Sequence, residues 1–467
     1  MVRLSLGVQA LLMTVAPIAE KPAAAADPAP AQSPIPELTL VSQVDLSPRL
    51  KEFTLRTPLL AFKNVGPIPG NPAGETKLRV LLPRGYDANG SRRYPVLYLY
   101  HGGGGNQTEW TTPASKGRAE ELTQDLPVIV VMPEGGLAGG YADWYNEGAL
   151  GAPAWKTYHL EQLIPWVDTH FRTITDRAGR ATAGLSMGGG GLRYAAARPD
   201  LIGTTASFSG DIDILQPASD WNGMGAPISR LIWGERRNQE LRWRGANGPD
   251  LAGNLSNTDV SIYTGDTGRP EGVYILQGST AMHRRLDALG IANSFIVYPG
   301  MTHSWPTWNR ALAEWLPSLM TRFGISRSHG VAPRTFSYST IAATYAMFGW
   351  DVRITRKANE FSALEVDATN GFTVIGSGEA VVRTPPIGRP NIRVHATIGR
   401  LARILRTDGQ GRVSVPVSLG SANGFQQYSP EAKALASGPA TDRVPFLLVD
   451  NGSRFHRVVV RLTPANR

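Results

Sequence analysis

Short apolar runs alternate with segments of helical hydrophobic spacing over the N-terminal two thirds of the chain. Nearly continuous apolar runs are typical of strands buried on both faces of a parallel sheet. They occur at Arg79–Leu82, Pro95–Tyr100, Val128–Met132, Ala181–Leu185, Thr204–Ser209, Val260–Thr264 and Ser294–Tyr298. Apolar residues with a helical period fill 155–171, 279–290 and 307–323 between and after these runs. The alternation predicts an α/β domain over residues 50–324 with a mainly parallel sheet.

The pattern changes after Gly324, where short β-rich runs are separated by Gly, Pro, Asn and Asp at turn-like intervals. This spacing is typical of an all-β sandwich. The predicted strands are Trp350–Arg356, Ala363–Ala368, Phe372–Ile375, Ala380–Arg383, Arg393–Ile398, Arg412–Val417, Val444–Val449 and Arg457–Leu462. We therefore expect a sandwich-like domain over 331–467.

The N-terminus has the three-part layout of a secretory signal. Arg3 supplies a positive charge, Leu4–Ala19 is mostly apolar, and Ala24–Ala26 offers small residues for cleavage. We expect a signal peptide over 1–26, a flexible lead-in over 27–49, and a secreted or cell-envelope-associated protein. No later apolar run is long enough for a membrane span, so none is expected in the mature chain.

Composition and charge exclude several functional classes. The 467 residues are 42% hydrophobic and 18% charged and include no cysteine, which excludes disulfides, thiol nucleophiles and cysteine-ligated metals. The net charge of +9 belongs mostly to residues 331–467, with 17 basic and 9 acidic side chains. No nucleic-acid reader motif accompanies this charge, so no nucleic-acid partner is expected. Residues 331–467 are interpreted either as a region that binds an anionic cell-envelope surface or as a region with an ordinary solvated basic surface.

The sequence Gly184-Leu185-Ser186-Met187-Gly188 directly follows a predicted strand. Glycines at these positions allow a sharp turn from strand to helix, which lifts the serine hydroxyl above the sheet edge. Leu192–Ala197 continues with a helical composition. The context favours a serine nucleophile over a plain glycine-rich loop.

An earlier strand ends at His101 and is followed by four glycines, Gly102–Gly105. Hydrolases with a serine on such a turn place one oxyanion-stabilising N–H in this loop and the other directly after the serine. We predict that the amides of Gly103 and Met187 form this pair and that His101 is structural. The alternative is a mobile surface turn.

The remaining triad members must follow the serine in the order acid, then histidine. Among eight histidines, only His303 meets the order requirement and also follows the last predicted strand. Asp266, directly after the preceding strand, is the first choice for the acid, with Glu271 and Asp211 as alternatives. This set predicts ester cleavage or acyl transfer through an acyl-enzyme, without metal or cofactor.

The chain resembles the esterase D family of α/β-hydrolases, and within it most closely the secreted mycolyltransferases. The resemblance covers about residues 75–320 and rests on five motifs: 141–145 (YADWY), 156–158 (KTY), 184–187 (GLSM), 302–305 (THSW) and the 101–104 loop (HGGG), which is closer to ordinary family esterases. It implies acyl transfer or hydrolysis of esters outside the cytoplasm, including trehalose or other glycolipid esters.

The resemblance also implies that Trp305 lines a sugar or acceptor site, the alternative being packing against the last helix. The family's helical glutamate has no clear counterpart in the stretch 281–285 (AMHRR). For this reason Asp266 is kept as the expected acid. The competing hypothesis for the whole protein is a non-catalytic wall- or glycan-binding protein on a hydrolase scaffold.

Overall fold

The structure is a computed structural model that describes residues 35–65, 68–88, 90–112, 116–219, 226–325, 332–367, 371–434 and 455–464. The predicted signal peptide over 1–26 and the predicted strand Val444–Val449 lie outside the described residues.

Nine strands form one twisted sheet in the order β1-β2-β3-β5-β4-β6-β7-β8-β9. Strands β4 to β9 run parallel to one another, whereas β1, β2 and β3 add an antiparallel edge next to β5. The strands are β1 Thr39–Asp45, β2 Leu50–Arg56, β3 Glu75–Leu81, β4 Val96–Tyr100, β5 Ile129–Pro133, β6 Arg180–Leu185, β7 Thr204–Phe208, β8 Asp259–Gly265 and β9 Asn293–Tyr298. The α/β fold with a mainly parallel sheet is thus confirmed.

Helices cover both faces of this sheet. They are α1 Ala119–Leu122, α2 Trp155–Thr157, α3 Ile164–His170, α4 Gly191–Ala197, α5 Ala226–Trp233, α6 Arg236–Arg244, α7 Gly248–Leu251, α8 Leu276–Ala288 and α9 Trp305–Ile325. A wider helical turn, Tyr158–Leu163, joins α2 to α3. Helices α2, α3, α4 and α8 bury side chains in the core on one face, and α9 closes the other. Central strands therefore have apolar side chains on both faces, as their unbroken hydrophobic runs predicted.

The lead-in predicted over 27–49 is wrong from residue 39 onward, because β1 lies at the edge of the sheet and pairs with β2. Every residue of β1 is exposed, so its sequence lacks the apolar pattern that marks an inner strand. Helices α5 and α6 were also not predicted. The polar sequence of α6, RRNQELRWR, buries only Leu241 and Trp243 and gives a weak helical pattern.

Among the residues that the structure describes beyond 331, the regular elements are strands apart from the short helix α10, Pro430–Ala434. The strands are β10 Phe336–Thr340, β11 Thr344–Met347, β12 Trp350–Thr355, β13 Ser362–Asp367, β14 Gly371–Gly376, β15 Glu379–Arg383, β16 Arg393–Ile398, β17 Leu401–Arg406, β18 Ser414–Ser418 and β19 His456–Pro464. They form a six-stranded sheet, β10-β13-β14-β19-β16-β17, and a four-stranded sheet, β11-β12-β15-β18. One apolar core contains side chains from both sheets, which confirms the predicted all-β architecture.

Specific hydrogen bonds join the two regions. The side chain of Asn254 both donates to and accepts from the backbone of Ser339, and the Tyr338 hydroxyl donates to the carbonyl of Ala197 at the end of α4. Both contacts involve β10, so the six-stranded sheet meets the α/β domain at its β10 side. In the part of the chain that the structure describes, no helix is long and apolar enough to cross a membrane.

Candidate active site

Ser186 sits on a sharp turn between β6 and α4. Its backbone φ is +53°, in the left-handed region that costs energy for any residue other than glycine. A Cβ at Gly184 would lie 2.4 Å from the carbonyl oxygen of Gly188, and a Cβ at Gly188 would lie 2.6 Å from that of His101. The two glycines are therefore required by close backbone contacts, as expected for a serine held above the sheet edge.

His303 joins Ser186 to a buried carboxylate. Its Nε2 atom lies 2.8 Å from Ser186 Oγ, and its Nδ1 atom lies 2.7 Å from Oε2 of Glu271. If Nδ1 carries the proton and donates it to Glu271, Nε2 is free to accept the serine proton. The loop between β9 and α9 supplies the histidine, and the helical turn Glu271–Ile275 before α8 supplies the glutamate.

The first choice for the acid, Asp266, is corrected by this geometry. Asp266 is exposed, and its Oδ1 accepts hydrogen bonds from the Gly300 amide at 2.7 Å and from Thr267 Oγ1 at 2.8 Å. It therefore links the loops that follow β8 and β9 instead of facing the imidazole. Asp211 lies behind the turn, where its amide donates to the Ser186 carbonyl at 3.1 Å. Glu271, which was named as an alternative, is the carboxylate that contacts His303, and it lies at the start of a helical turn.

The environment of Glu271 favours its ionised form. The side chain is 0% exposed, and burial alone would raise its pKa, but the hydrogen bond and charge of His303 and the amide of Gly265 more than offset this, so the pKa of Glu271 is lowered. Its other oxygen, Oε1, accepts hydrogen bonds from Thr264 Oγ1 at 2.8 Å and from the Gly265 amide at 2.5 Å. The carboxylate is thus fixed in orientation as well as in charge.

The glycine loop after β4 is held on several sides. The Gly102 amide donates to Glu109 Oε2 at 3.3 Å, and the amides of Gly104 and Gly105 donate to the carbonyls of Leu137 and Gly102. Gly103, the second glycine of the run, lines the same cavity as Ser186. The role of Gly103 as an oxyanion donor stays a prediction. Met187, the other predicted donor, is buried in the helical turn that begins at Ser186.

His101 fixes the direction of the Gly103 amide. Its Nδ1 is 2.7 Å from the Gly102 carbonyl oxygen, and its Nε2 accepts a hydrogen bond from the Gly135 amide at 2.8 Å. The Gly102 carbonyl and the Gly103 N–H belong to one planar trans peptide unit and point in opposite directions. The hydrogen bond between His101 and the Gly102 carbonyl therefore directs the Gly103 N–H away from His101.

A cavity of about 460 Å³ opens beside Ser186 and His303. Leu185, Trp305 and Trp308 contribute apolar surface to it, and Glu109 and Lys116 contribute charge. Trp305 also packs edge-to-face against Trp110 and Trp308, with ring centroids 5.3 Å apart in each pair. Trp305, the first residue of α9, thus lines the cavity and also packs against Trp308 of the same helix and against Trp110, so the two alternatives for it are compatible.

Glu109 was not among the predicted site residues, because its position depends on how the glycine loop folds. Burial raises the pKa of this carboxyl group. No group of three or more metal-ligating side chains occurs within the described ranges.

Residues 71–319 match the family described as "Putative esterase". The chain belongs to this esterase family. The matched segment includes Ser186, Glu271 and His303, together with the glycine loop, and ends before the C-terminal sandwich.

Two curated relatives and one solved structure illustrate the similarity. An esterase of Mycobacterium tuberculosis (strain H37Rv) is 30% identical over 278 residues, which are 56% of this chain and 58% of that protein. The diacylglycerol acyltransferase/mycolyltransferase Ag85B of Mycolicibacterium smegmatis is 28% identical over 238 residues, 44% of this chain and 70% of that protein. The structure of an S-formylglutathione hydrolase from Agrobacterium tumefaciens is 18% identical, with a TM-score of 0.48, and covers 61% of this chain and 100% of its own. The chain thus spans a little over half the length of the first of these relatives.

Two buried histidines of this esterase-family domain make its stability depend on pH. Burial lowers the pKa of His101 to about 4 and that of His159 to about 3, whereas both are near 6.5 in the unfolded chain. Between about pH 4 and 6.5 the unfolded state therefore binds more protons, so the free energy of unfolding falls as the pH is lowered.

The free energy of unfolding can be measured from urea unfolding curves at several pH values in this interval. We expect its slope against pH to correspond to the uptake of about two protons by these two histidines on unfolding. His159→Gln should reduce that slope by about one proton. His395, which is exposed, provides the matched control as His395→Gln. An unchanged slope in the His159 variant would contradict the assignment.

Proposed function

We propose that the chain is a serine-dependent carboxylic ester hydrolase or acyltransferase that works through an acyl-enzyme. The observation that carries the proposal is the continuous hydrogen-bonded series from Ser186 through His303 to Glu271 at the wall of a cavity. The same three residue types, in the same chain order, are used by α/β-hydrolases.

Acylation follows from the positions of these groups. Nε2 of His303 accepts the proton of Ser186 as Oγ attacks the ester carbonyl carbon, and the negative charge of Glu271 stabilises the imidazolium. The amides of Gly103 and Met187 stabilise the oxyanion of the tetrahedral intermediate. When the ester C–O bond breaks, His303 returns the proton to the leaving alkoxide, and an alcohol departs.

Deacylation repeats these steps with a second nucleophile. Water or an acceptor alcohol gives its proton to His303 and attacks the acyl-serine, and the proton then returns to Ser186 Oγ. No step of this scheme draws on a metal or a cofactor. Water as the nucleophile makes the protein a hydrolase, and an alcohol makes it a transferase.

A fluorophosphonate probe tests whether Ser186 is a nucleophile. We expect one covalent adduct, located on Ser186 by peptide mass spectrometry, because His303, paired with Glu271, activates this hydroxyl. Ser304→Ala removes another hydroxyl from the same cavity and should leave labelling intact. Folded protein that forms no adduct would favour the non-catalytic wall- or glycan-binding alternative.

We propose glycolipid esters, including trehalose esters of mycolate type, as the substrate class. The support is the similarity to a relative named as a diacylglycerol acyltransferase/mycolyltransferase. Incubation of an acyl ester donor with trehalose separates the two activities by product analysis. An acylated sugar indicates a transferase, whereas free acid alone indicates a hydrolase.

Trp305 is proposed to bind substrate in the cavity. Trp305→Ala should raise KM by about 10-fold to 150-fold with a smaller effect on kcat, since an aromatic side chain that buries part of the substrate contributes on the order of 1.5–3 kcal/mol. Trp305→Phe, which keeps an aromatic ring, should restore most of the affinity. A lowered melting temperature with an unchanged KM would instead identify Trp305 as a packing residue.

Export is proposed from the signal-like sequence of residues 1–26. Expression of the full chain in a bacterial host, followed by N-terminal sequencing of the protein in the medium, tests it. The expected mature end lies directly after the Ala24–Ala26 cluster. Retention of the uncleaved chain in the cytoplasm would contradict the proposal.

A further inference from the structure

One hairpin of the C-terminal sandwich concentrates basic charge. Residues 384–407 contain five arginines and one histidine but no aspartate or glutamate. Strands β16 and β17 and the turns beside them make up this segment. We call residues 389–406 the basic hairpin.

The arginines of the basic hairpin differ from others in the sandwich. Arg457 pairs with Glu365 at 2.7 Å, and Arg412 pairs with Asp351 at the same distance. In contrast, Arg393 lies directly across from Arg406 in the β16–β17 register, which places two like charges side by side. Cross-strand like charges destabilise a sheet, so this arrangement favours an anionic partner.

The hairpin also exposes aliphatic side chains. Leu401 is 59% exposed and Ile404 is 61% exposed, the two highest values for large hydrophobic side chains in the described part of the chain. Both lie on β17, which among the described strands pairs only with β16 and forms the edge of the six-stranded sheet. Because they are three positions apart, they lie on opposite faces of β17 and flank its free edge. Arg403 and Arg406 are exposed on the same strand.

We propose that the basic hairpin docks onto an anionic lipid surface. The guanidinium groups would contact headgroup phosphates, to which arginine is well matched. With the free edge of β17 toward the membrane, Leu401 and Ile404, one on each face of the strand, would both enter the boundary between headgroups and acyl chains. A soluble anionic polysaccharide would match the charge alone, so the exposed aliphatic pair is the feature that favours lipid. The proposal concerns a surface separate from the cavity and does not depend on the proposed esterase activity.

Vesicle sedimentation with the full chain tests the charge contribution. We expect binding to vesicles of phosphatidylcholine with about 30% phosphatidylglycerol, no binding to phosphatidylcholine alone, and release as salt rises from about 0.05 to 0.5 M. The triple variant Arg393→Gln, Arg403→Gln, Arg406→Gln should weaken binding about 100-fold, at roughly fivefold per arginine.

A control variant with three arginine replacements elsewhere has the same change in net charge. It distinguishes binding at the basic hairpin from a general attraction between the charged protein and the vesicle. Arg56, Arg84 and Arg310 are ion-paired residues on the α/β domain, and their replacement by Gln should change vesicle affinity by less than about threefold. Equal losses in both triples would overturn a site on the hairpin. Unchanged thermal unfolding of each variant verifies that it is folded.

The double variant Leu401→Ser, Ile404→Ser isolates the apolar contribution. It keeps the charge, so we expect vesicle binding to fall about tenfold or more while binding to dextran sulfate is unchanged. Vesicle binding equal to that of the unmodified chain would overturn the lipid proposal in favour of a polyanion site. Light scattering could instead show that the unmodified chain is a dimer and binds no vesicles, and that the double variant is a monomer. That result would assign β17 to contact with a second copy.

Discussion

Replacement of Ser186 by alanine is expected to lower kcat for a p-nitrophenyl ester by about 10⁴-fold to 10⁶-fold, the range seen when a serine hydrolase loses its nucleophile. Without the hydroxyl no acyl-enzyme forms, and only the oxyanion amides and the cavity still act on the transition state. Initial rates at saturating ester, measured with enough enzyme to detect the residual reaction, provide the test.

Two controls accompany this variant. Ser304→Ala should keep kcat within about threefold, since its hydroxyl takes no part in the proposed proton transfers. The backbone of residue 186 has a φ of +53°, which alanine must also adopt, so thermal unfolding should be compared with that of the unmodified chain. A folded Ser186→Ala protein with full activity would exclude the proposed mechanism.

Glu271→Gln is expected to reduce kcat by about 10⁴-fold, as when the carboxylate of a serine–histidine–acid triad becomes an amide. Glutamine carries no charge to stabilise the imidazolium, and its amide group can stabilise the wrong tautomer of His303. The side chain is nearly isosteric and fully buried, so the fold should be retained, with Thr264 and Gly265 still close to the side chain. The readout is kcat with a p-nitrophenyl ester near neutral pH.

Asp266→Asn is the matched comparison because Asp266 is the acid that the sequence favoured. Its carboxylate accepts a hydrogen bond from the Gly300 amide and lies in solvent, so we expect kcat within about threefold of the unmodified chain. Loss of activity in this variant with retention in Glu271→Gln would restore the sequence-based assignment.

Ser186 could be predicted because it directly follows β6. His303 lies five positions beyond the end of β9, but no other histidine satisfied both the chain order and the position after the last strand. A strand end in a parallel sheet fixes where the next side chain emerges, so local sequence determines the geometry. Glu271 lies six positions beyond the end of β8, after the loop that contains Asp266. The path of that loop depends on contacts such as the one between Asp266 and Gly300, which a local pattern does not contain.

Edge strands and the distribution of charge could likewise be predicted only in part from the sequence. The exposed strand β1 has no inward face to impose an alternating pattern, so its sequence resembles that of a linker. The basic excess of the C-terminal region was apparent from residue counts. The proximity of Arg393 to Arg406 depends on the β16–β17 register, which local sequence does not determine.

The packing of the glycine loop indicates where the selectivity of this domain can be changed. A Cβ at Gly102 would lie 2.6 Å from Leu185 Cδ1, whereas a Cβ at Gly103 would meet no atom within 4 Å. Because Gly103 lines the cavity, a side chain added there would add bulk at its wall without a steric conflict at Cβ, while His101 still holds the peptide unit. Position 103 is therefore the place in the loop where substrate size can be restricted without rebuilding the backbone, and a graded series from alanine to leucine would narrow the entrance in steps.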